Sequence, residues 1–154
     1  MSRLPKNRPE KYQKQGGKKV VVLAGDSITH GQIGENYVAM LSERLYIHKF
    51  DLVNAGINSH MAWNLLQRID EIIACEPDFI TIMIGTNDAN AVTSEAEAKE
   101  YVKRMGLPRM PDQEWYQESL HKIVTTLLER THAKIGLISI PPIGEIQDHF
   151  AFKI

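Results

Sequence analysis

The sequence holds a single cysteine, Cys75, among 154 residues. A disulfide framework and a cysteine-based zinc site are thereby excluded. No stretch reaches the roughly 18 consecutive apolar residues that a membrane-spanning helix needs. The opening residues lack the apolar segment of a secretory signal. Aromatic residues are few, at 7%, and the net charge of −1 creates no overall field that would draw in nucleic acid or a membrane surface. There is no internal repeat and no low-complexity segment. These absences lead to the expectation of a cytoplasmic protein with no membrane span and no nucleic-acid partner.

What charge there is lies unevenly. Seven basic residues (Arg3, Lys6, Arg8, Lys11, Lys14, Lys18, Lys19) and one acid, Glu10, fall in the first 19 positions. The remainder carries 11 basic and 18 acidic residues, a net of −7. Residues 1–18 therefore read as a basic, flexible, solvated leader, and 19–154 as the domain proper. A basic arm of this kind can also touch RNA or lipid headgroups, an alternative that deleting it would test.

Four short apolar runs read as strands: KVVVLAG (19–25), FDLVNAG (50–56), DFITIMIG (78–85) and AKIGLISIP (133–141). Three are continuously apolar and rich in Val and Ile, which suits strands covered on both faces. Helical spacing fills the gaps. It is carried by Val38, Leu41 and Leu45 in 35–47, and by Leu65, Leu66, Ile69, Ile72 and Ile73 in 59–75, with Ser59 as N-cap. Segment 94–105 opens on a Ser94-x-x-Glu97 capping box and closes on Gly106, and 113–131 carries Leu120, Ile123, Val124, Leu127 and Leu128. Cys75 ends the second helical pattern and reads as a small buried hydrophobe. Alternation of strand and helix implies βαβ units and a doubly wound parallel α/β sheet. In such sheets ligands bind outside the carboxyl ends of the strands, so the residues after each strand are the ones to inspect.

Those residues are Gly25-Asp26-Ser27-Ile28-Thr29-His30-Gly31, then Asn54-Ala55-Gly56-Ile57-Asn58-Ser59, then Gly85-Thr86-Asn87-Asp88. Together they offer a hydroxyl, glycine-containing turns and a carboxamide, the set that acyl transfer uses. A serine supplies the nucleophile. Backbone N–H groups at Ser27 and Gly56, with the Asn87 side chain, would meet the oxyanion of a tetrahedral intermediate.

AGDSITHG, NAGINS and IGTND resemble the first three blocks of the SGNH hydrolases, the GDSL esterase/lipase family, over the chain from about residue 18 onward. The resemblance implies a three-layer α/β/α, flavodoxin-like sandwich. It further implies metal-free hydrolysis of a small-molecule ester or thioester through an acyl-serine. Ser27 would be nucleophile and backbone donor, Gly56 a second backbone donor, and Asn87 the side-chain donor. No cofactor is expected, and the spacing of the six histidines suggests no metal site. The serine does not sit in a Gly-x-Ser-x-Gly elbow, because Asp26 and Ile28 flank it.

The fourth block of that family, an Asp-x-x-His that supplies the general base, does not occur in this sequence. Asp148 and His149 are adjacent, and they follow the fourth strand directly. The expectation is a sheet lacking its last strand and C-terminal helix, with the catalytic His and Asp beyond Ile154; His149 is the only candidate for an improvised base. A non-catalytic module that holds an acyl or carboxylate group in the same pocket is the alternative. Other readings stay open from the residues alone. Ser27 could be a helix N-cap, Gly56 a turn glycine and Asn87 a turn cap. Asp26 and Asp88 would brace the turns. Segment 89–113 would be a lid or substrate wall, with Met105, Leu107 and Met110 as apolar lining, or an ordinary surface excursion. Trp63 and Trp115 read as packing residues.

Overall fold

The structure, a computed structural model, describes residues 4–45 and 49–141. Four strands, β1 (Lys19–Gly25), β2 (Phe50–Gly56), β3 (Phe79–Met83) and β4 (Lys134–Leu137), form one sheet in the order β2-β1-β3-β4. All neighbours are parallel, with Gly25 level with both Gly56 and Met83. Between them run α1 (Ser27–His30), α2 (Tyr37–Leu45), α3 (Ala62–Gln67), α4 (Ile69–Ile73), α5 (Thr86–Ala91), α6 (Glu95–Met105) and α7 (Gln113–Arg130). The order 2-1-3-4 is that of the flavodoxin-like arrangement the resemblance implies, on the parallel sheet expected from the strand–helix alternation.

Strand alternation builds the three layers. Val20, Val22 and Ala24 face one way with Val53, Ile80 and Ile82, against Leu65, Ile69, Ile72, Ile123 and Leu127 of α3, α4 and α7. Leu23 and Leu52 face the other way, against Val38 of α2 with Leu41 and Leu45 around it. Each fully buried Leu or Ile in these layers contributes about 1.5–3 kcal/mol of transfer free energy.

The helix signals mostly hold. Ser94 accepts the Glu97 N–H at 3.1 Å, and Gly106 closes α6 in the left-handed conformation. Asp112 caps α7 through the Trp115 N–H at 2.7 Å. The pattern at 59–75 differs: it is two short helices broken at Arg68, whose φ and ψ are −117° and 23°. Arg68 turns its guanidinium inward there, toward the end of β2. Ser59 is not a cap, since Met61 occupies that position and Ser59 lies in a left-handed turn with φ 62°. Cys75 is buried, and burial pushes its thiol up to about 11.

The basic segment ahead of β1 lies along the outer edge of β2. Asn54 N–H donates to Asn7 O at 3.0 Å, and Asn7 Nδ2 donates to Leu52 O at 2.8 Å. Lys14, Lys18 and Lys19 pair with Glu76, Asp51 and Asp78 at 3.2, 2.8 and 2.8 Å. At the opposite edge, β4 leaves Leu137 and Ile138 exposed, as is Leu128 on α7. Asp148 and His149 lie outside the described residues. Among the described residues, no helix is long and apolar enough to cross a membrane, and no cluster of His, Cys, Asp or Glu could hold a metal ion.

Candidate active site

The turns after β1, β2 and β3 meet at the carboxyl end of the sheet. Ser27 opens α1 directly after Asp26, which accepts the Ile28 N–H at 3.0 Å and is itself the N-cap. That leaves Ser27 in the first helical position, half-buried. Among the described residues, neither its hydroxyl nor its N–H has a partner.

Gly56 is packed hard against α1. A Cβ placed on it would lie 2.2 Å from His30 N and 2.9 Å from Asp26 O, both backbone atoms. A side chain is therefore excluded by close approach rather than by an unusual φ. The Gly56 N–H donates to Asn54 Oδ1 at 3.0 Å, while Asn54 Nδ2 donates to Thr29 O at 2.9 Å. Asn54 thus staples the end of β2 to α1. Further along the turn, Ile57 N–H donates to Gly25 O, His60 N–H to Ile57 O, Met61 N–H to Asn64 Oδ1 and Ala62 N–H to the Asp88 carboxylate. The Ser59 N–H has no acceptor among the described residues.

Asn87 is buried in the first turn of α5. Its Nδ2 donates to His60 O at 3.0 Å and lies 3.4 Å from Asp26 Oδ2, while Tyr101 Oη donates to its Oδ1 at 3.0 Å. The carboxamide therefore links the turns that follow all three strands. Burial raises the Asp26 carboxyl above its ordinary range, against the lowering effect of the Ile28 N–H. Burial likewise pushes Asp88 up to about 7; both its oxygens accept the Ala62 N–H, at 3.2 and 3.1 Å. The expected bracing role of the two aspartates is what these bonds describe.

Three residues of this rim were not singled out from the sequence. Arg68, buried, donates through Nη2 to Ala55 O at 2.5 Å and through Nε to His60 Nδ1 at 3.2 Å. Burial, then the Arg68 charge, lowers His60 to about 4, so the imidazole is neutral with its proton on Nε2. Tyr101, on α6, sits on the same apolar face as Ala98 and looks from sequence like a core residue. No local spacing signal marks any of the three, because each acts on a residue of a distant turn or on a carbonyl.

Segment 89–113 is neither a plain loop nor an open wall. Tyr101 and Leu107 are buried with Met61 and Ala91, and Met105, Trp63 and Trp115 pack around them. The Trp63 and Trp115 rings stand 5.9 Å apart, and Met110 is exposed. A cavity of about 410 Å³ opens beside this rim, lined by Gly85, Asp88, Val92, Asp112, Tyr116 and Ile140. A larger one, about 700 Å³, lies between residues 4–7 and α2; neither Ser27 nor Asn87 lines either cavity.

The model of the GDSL-like lipase/acylhydrolase family matches residues 23–151. The chain belongs to that family. Among solved structures it is similar to a protein of the G-D-S-L family from Desulfitobacterium hafniense DCB-2, with 23% identity and a TM-score of 0.62 over 88% of this chain. It is also similar to a variant of the acetyl xylan esterase Axe2 from Geobacillus stearothermophilus, with 25% identity and a TM-score of 0.60 over 89%. A third is the psychrotrophic esterase EstA from Pseudoalteromonas sp., with 22% identity and a TM-score of 0.57 over 82%. The chain spans 67%, 66% and 63% of the lengths of these three, so about a third of each has no counterpart in it. No curated protein sequence matches this chain. The parallel α/β fold of these relatives is the fold described above.

Proposed function

We propose that this domain carries the nucleophile and oxyanion donors of a serine ester hydrolase working through an acyl-serine. The observation that carries the reading is the Ser27 hydroxyl and N–H, both without a partner among the described residues, one residue from the Asp26 carboxylate that Asn87 Nδ2 approaches at 3.4 Å. Ser27 Oγ attacks the ester carbonyl, and its proton passes to a general base. The resulting oxyanion is met by the Ser27 N–H and by Asn87 Nδ2. The turn after β2 supplies the third donor. Gly56 contributes the close passage against α1 and, once its N–H turns from Asn54 Oδ1 to the oxyanion, a backbone donor; the Ser59 N–H, without an acceptor among the described residues, is the other backbone donor this turn offers. The base is the component this sequence leaves out, since it contains no Asp-x-x-His. The second reading is a module that uses the same donors to bind acyl or carboxylate groups without turnover.

Release of p-nitrophenolate from p-nitrophenyl acetate separates these readings. The expected result is a Ser27-dependent burst approaching one equivalent per chain, lost in Ser27→Ala. Equal release by Ser27→Ala would overturn the nucleophile assignment. Saturable acetate binding by calorimetry, with no burst, would favour the binding module.

A further inference from the structure

We propose that Tyr101 is a positioning residue for the Asn87 carboxamide, and that the 89–113 excursion exists to deliver it. The carboxamide has two ends. Its Nδ2 end meets acceptors alone, His60 O at 3.0 Å and Asp26 Oδ2 at 3.4 Å. Its Oδ1 end meets one donor, the Tyr101 hydroxyl, at 3.0 Å. With both ends matched, a flip of the amide would set oxygen against oxygen at His60 and Asp26 and lose the bond from the Tyr101 hydroxyl as it stands. Removing the hydroxyl leaves a buried acceptor without a partner and the carboxamide held at one end.

The surroundings hold that hydroxyl in place. Tyr101 is 5% exposed and packs with Met61, Ala91 and Leu107. The Arg104 guanidinium lies over its ring, 4.5 Å from the centroid. Asn64 Nδ2 donates to Met105 O at 3.2 Å, which ties the end of α6 to α3. Through Met61 and, one turn on, Asn64, the excursion is bound to the end of the turn whose His60 carbonyl receives the other end of the amide. A donor aimed before the reaction starts costs no reorganisation when charge develops.

Tyr101→Phe removes one oxygen and keeps the ring in its apolar cluster. Two measurements on the whole chain test the proposal, and only the second rests on the function proposed above. In the first, the side-chain amide of Asn87 is followed by ¹⁵N NMR, its signals identified by their loss in Asn87→Ala. In Tyr101→Phe these protons should shift and exchange with water at least several-fold faster, while the Asn54 side-chain amide stays unchanged. Unaltered Asn87 signals would overturn the proposal, and equal acceleration at Asn54 would assign the hydroxyl a general structural role instead. In the second, p-nitrophenyl ethylphosphonate modifies Ser27: Oγ bonds to phosphorus, p-nitrophenolate leaves, and the Oγ proton passes to solvent. Tyr101→Phe should slow this about ten-fold. Tyr101→Phe in an Asn87→Ala background should add nothing further. A Ser27-dependent reaction that Tyr101→Phe leaves at full rate would sink the positioning role alone, whereas modification independent of Ser27 would sink the proposed function and leave the amide measurement standing.

Discussion

The side-chain amide of Asn87 donates to the main-chain carbonyl of His60 at 3.0 Å. One residue after β3 is thereby locked to the turn after β2, and the same nitrogen reaches toward Asp26 after β1. Asn87→Ala removes both ties and the proposed oxyanion donor. Reactivity of Ser27 toward an activated ester should fall about 100- to 1000-fold. Burst kinetics with p-nitrophenyl acetate measure it; a loss under three-fold would remove Asn87 from the chemistry.

Gly56 faces backbone on two sides. Gly56→Ala must push α1 and β2 apart, because His30 N and Asp26 O cannot swing away as a side chain would. A destabilisation of about 1–3 kcal/mol is expected, at the upper end if α1 stays in place. Urea unfolding followed by circular dichroism gives the number, and a variant as stable as the parent would contradict the close packing.

Arg68 joins Ala55 O to His60 Nδ1, which needs two donors in a fixed fork. Lysine offers a point charge and cannot span both acceptors at once. Arg68→Lys and Arg68→Met should both lower stability, by about 1–3 kcal/mol for each acceptor left buried and unpaired. In Arg68→Met, which alone removes the charge, His60 should titrate above about 4 but still below its ordinary 6.5, since burial is the larger cause of its depression. NMR titration of the His60 ring checks this, and a value at 6.5 would assign the whole effect to Arg68.

Asp88 binds its proton more tightly folded than unfolded, with a folded value of about 7 against 3.8. Between those values the folded chain holds more protons at this site, so its contribution to stability is greatest at low pH and is lost as pH rises toward 7. Asp88→Asn, which can still accept the Ala62 N–H, should gain stability relative to the parent as pH rises through that window. His60 works in the opposite sense, disfavouring the fold as pH falls from 6.5 toward 4. Parallel pH series of urea midpoints for the parent and Asp88→Asn isolate the Asp88 part; a pH-independent difference would refute it.

Strands were legible because Val20–Ala24 and Ile80–Ile84 are short and rich in Val and Ile, and because they and Leu52–Gly56 are bounded by turn residues. The blocks holding Ser27, Gly56 and Asn87 were legible because parallel topology sends all three turns to one rim. Three features were not. The long apolar pattern at 59–75 gave no sign of the break at Arg68, since periodicity continues across it and only a distant carbonyl explains the turn inward. The left-handed Ser59 was equally hidden, because serine signals a cap more often than a positive φ. Tyr101 was invisible for a related reason: a tyrosine on an apolar helix face reads the same whether or not its hydroxyl finds a partner in another turn.

The position of β1 inside the sheet has a consequence for how the chain assembles. Its neighbour β3 lies far ahead in sequence; Val20 and the Asp78 carboxylate that receives its N–H are 58 residues apart. A hairpin cannot nucleate this sheet, and β1, made before its neighbours, waits, uncovered on one side, until β3 has been made. Such non-local pairing slows folding. During that interval Val20, Val22 and Leu23 form an apolar stretch open to holding chaperones.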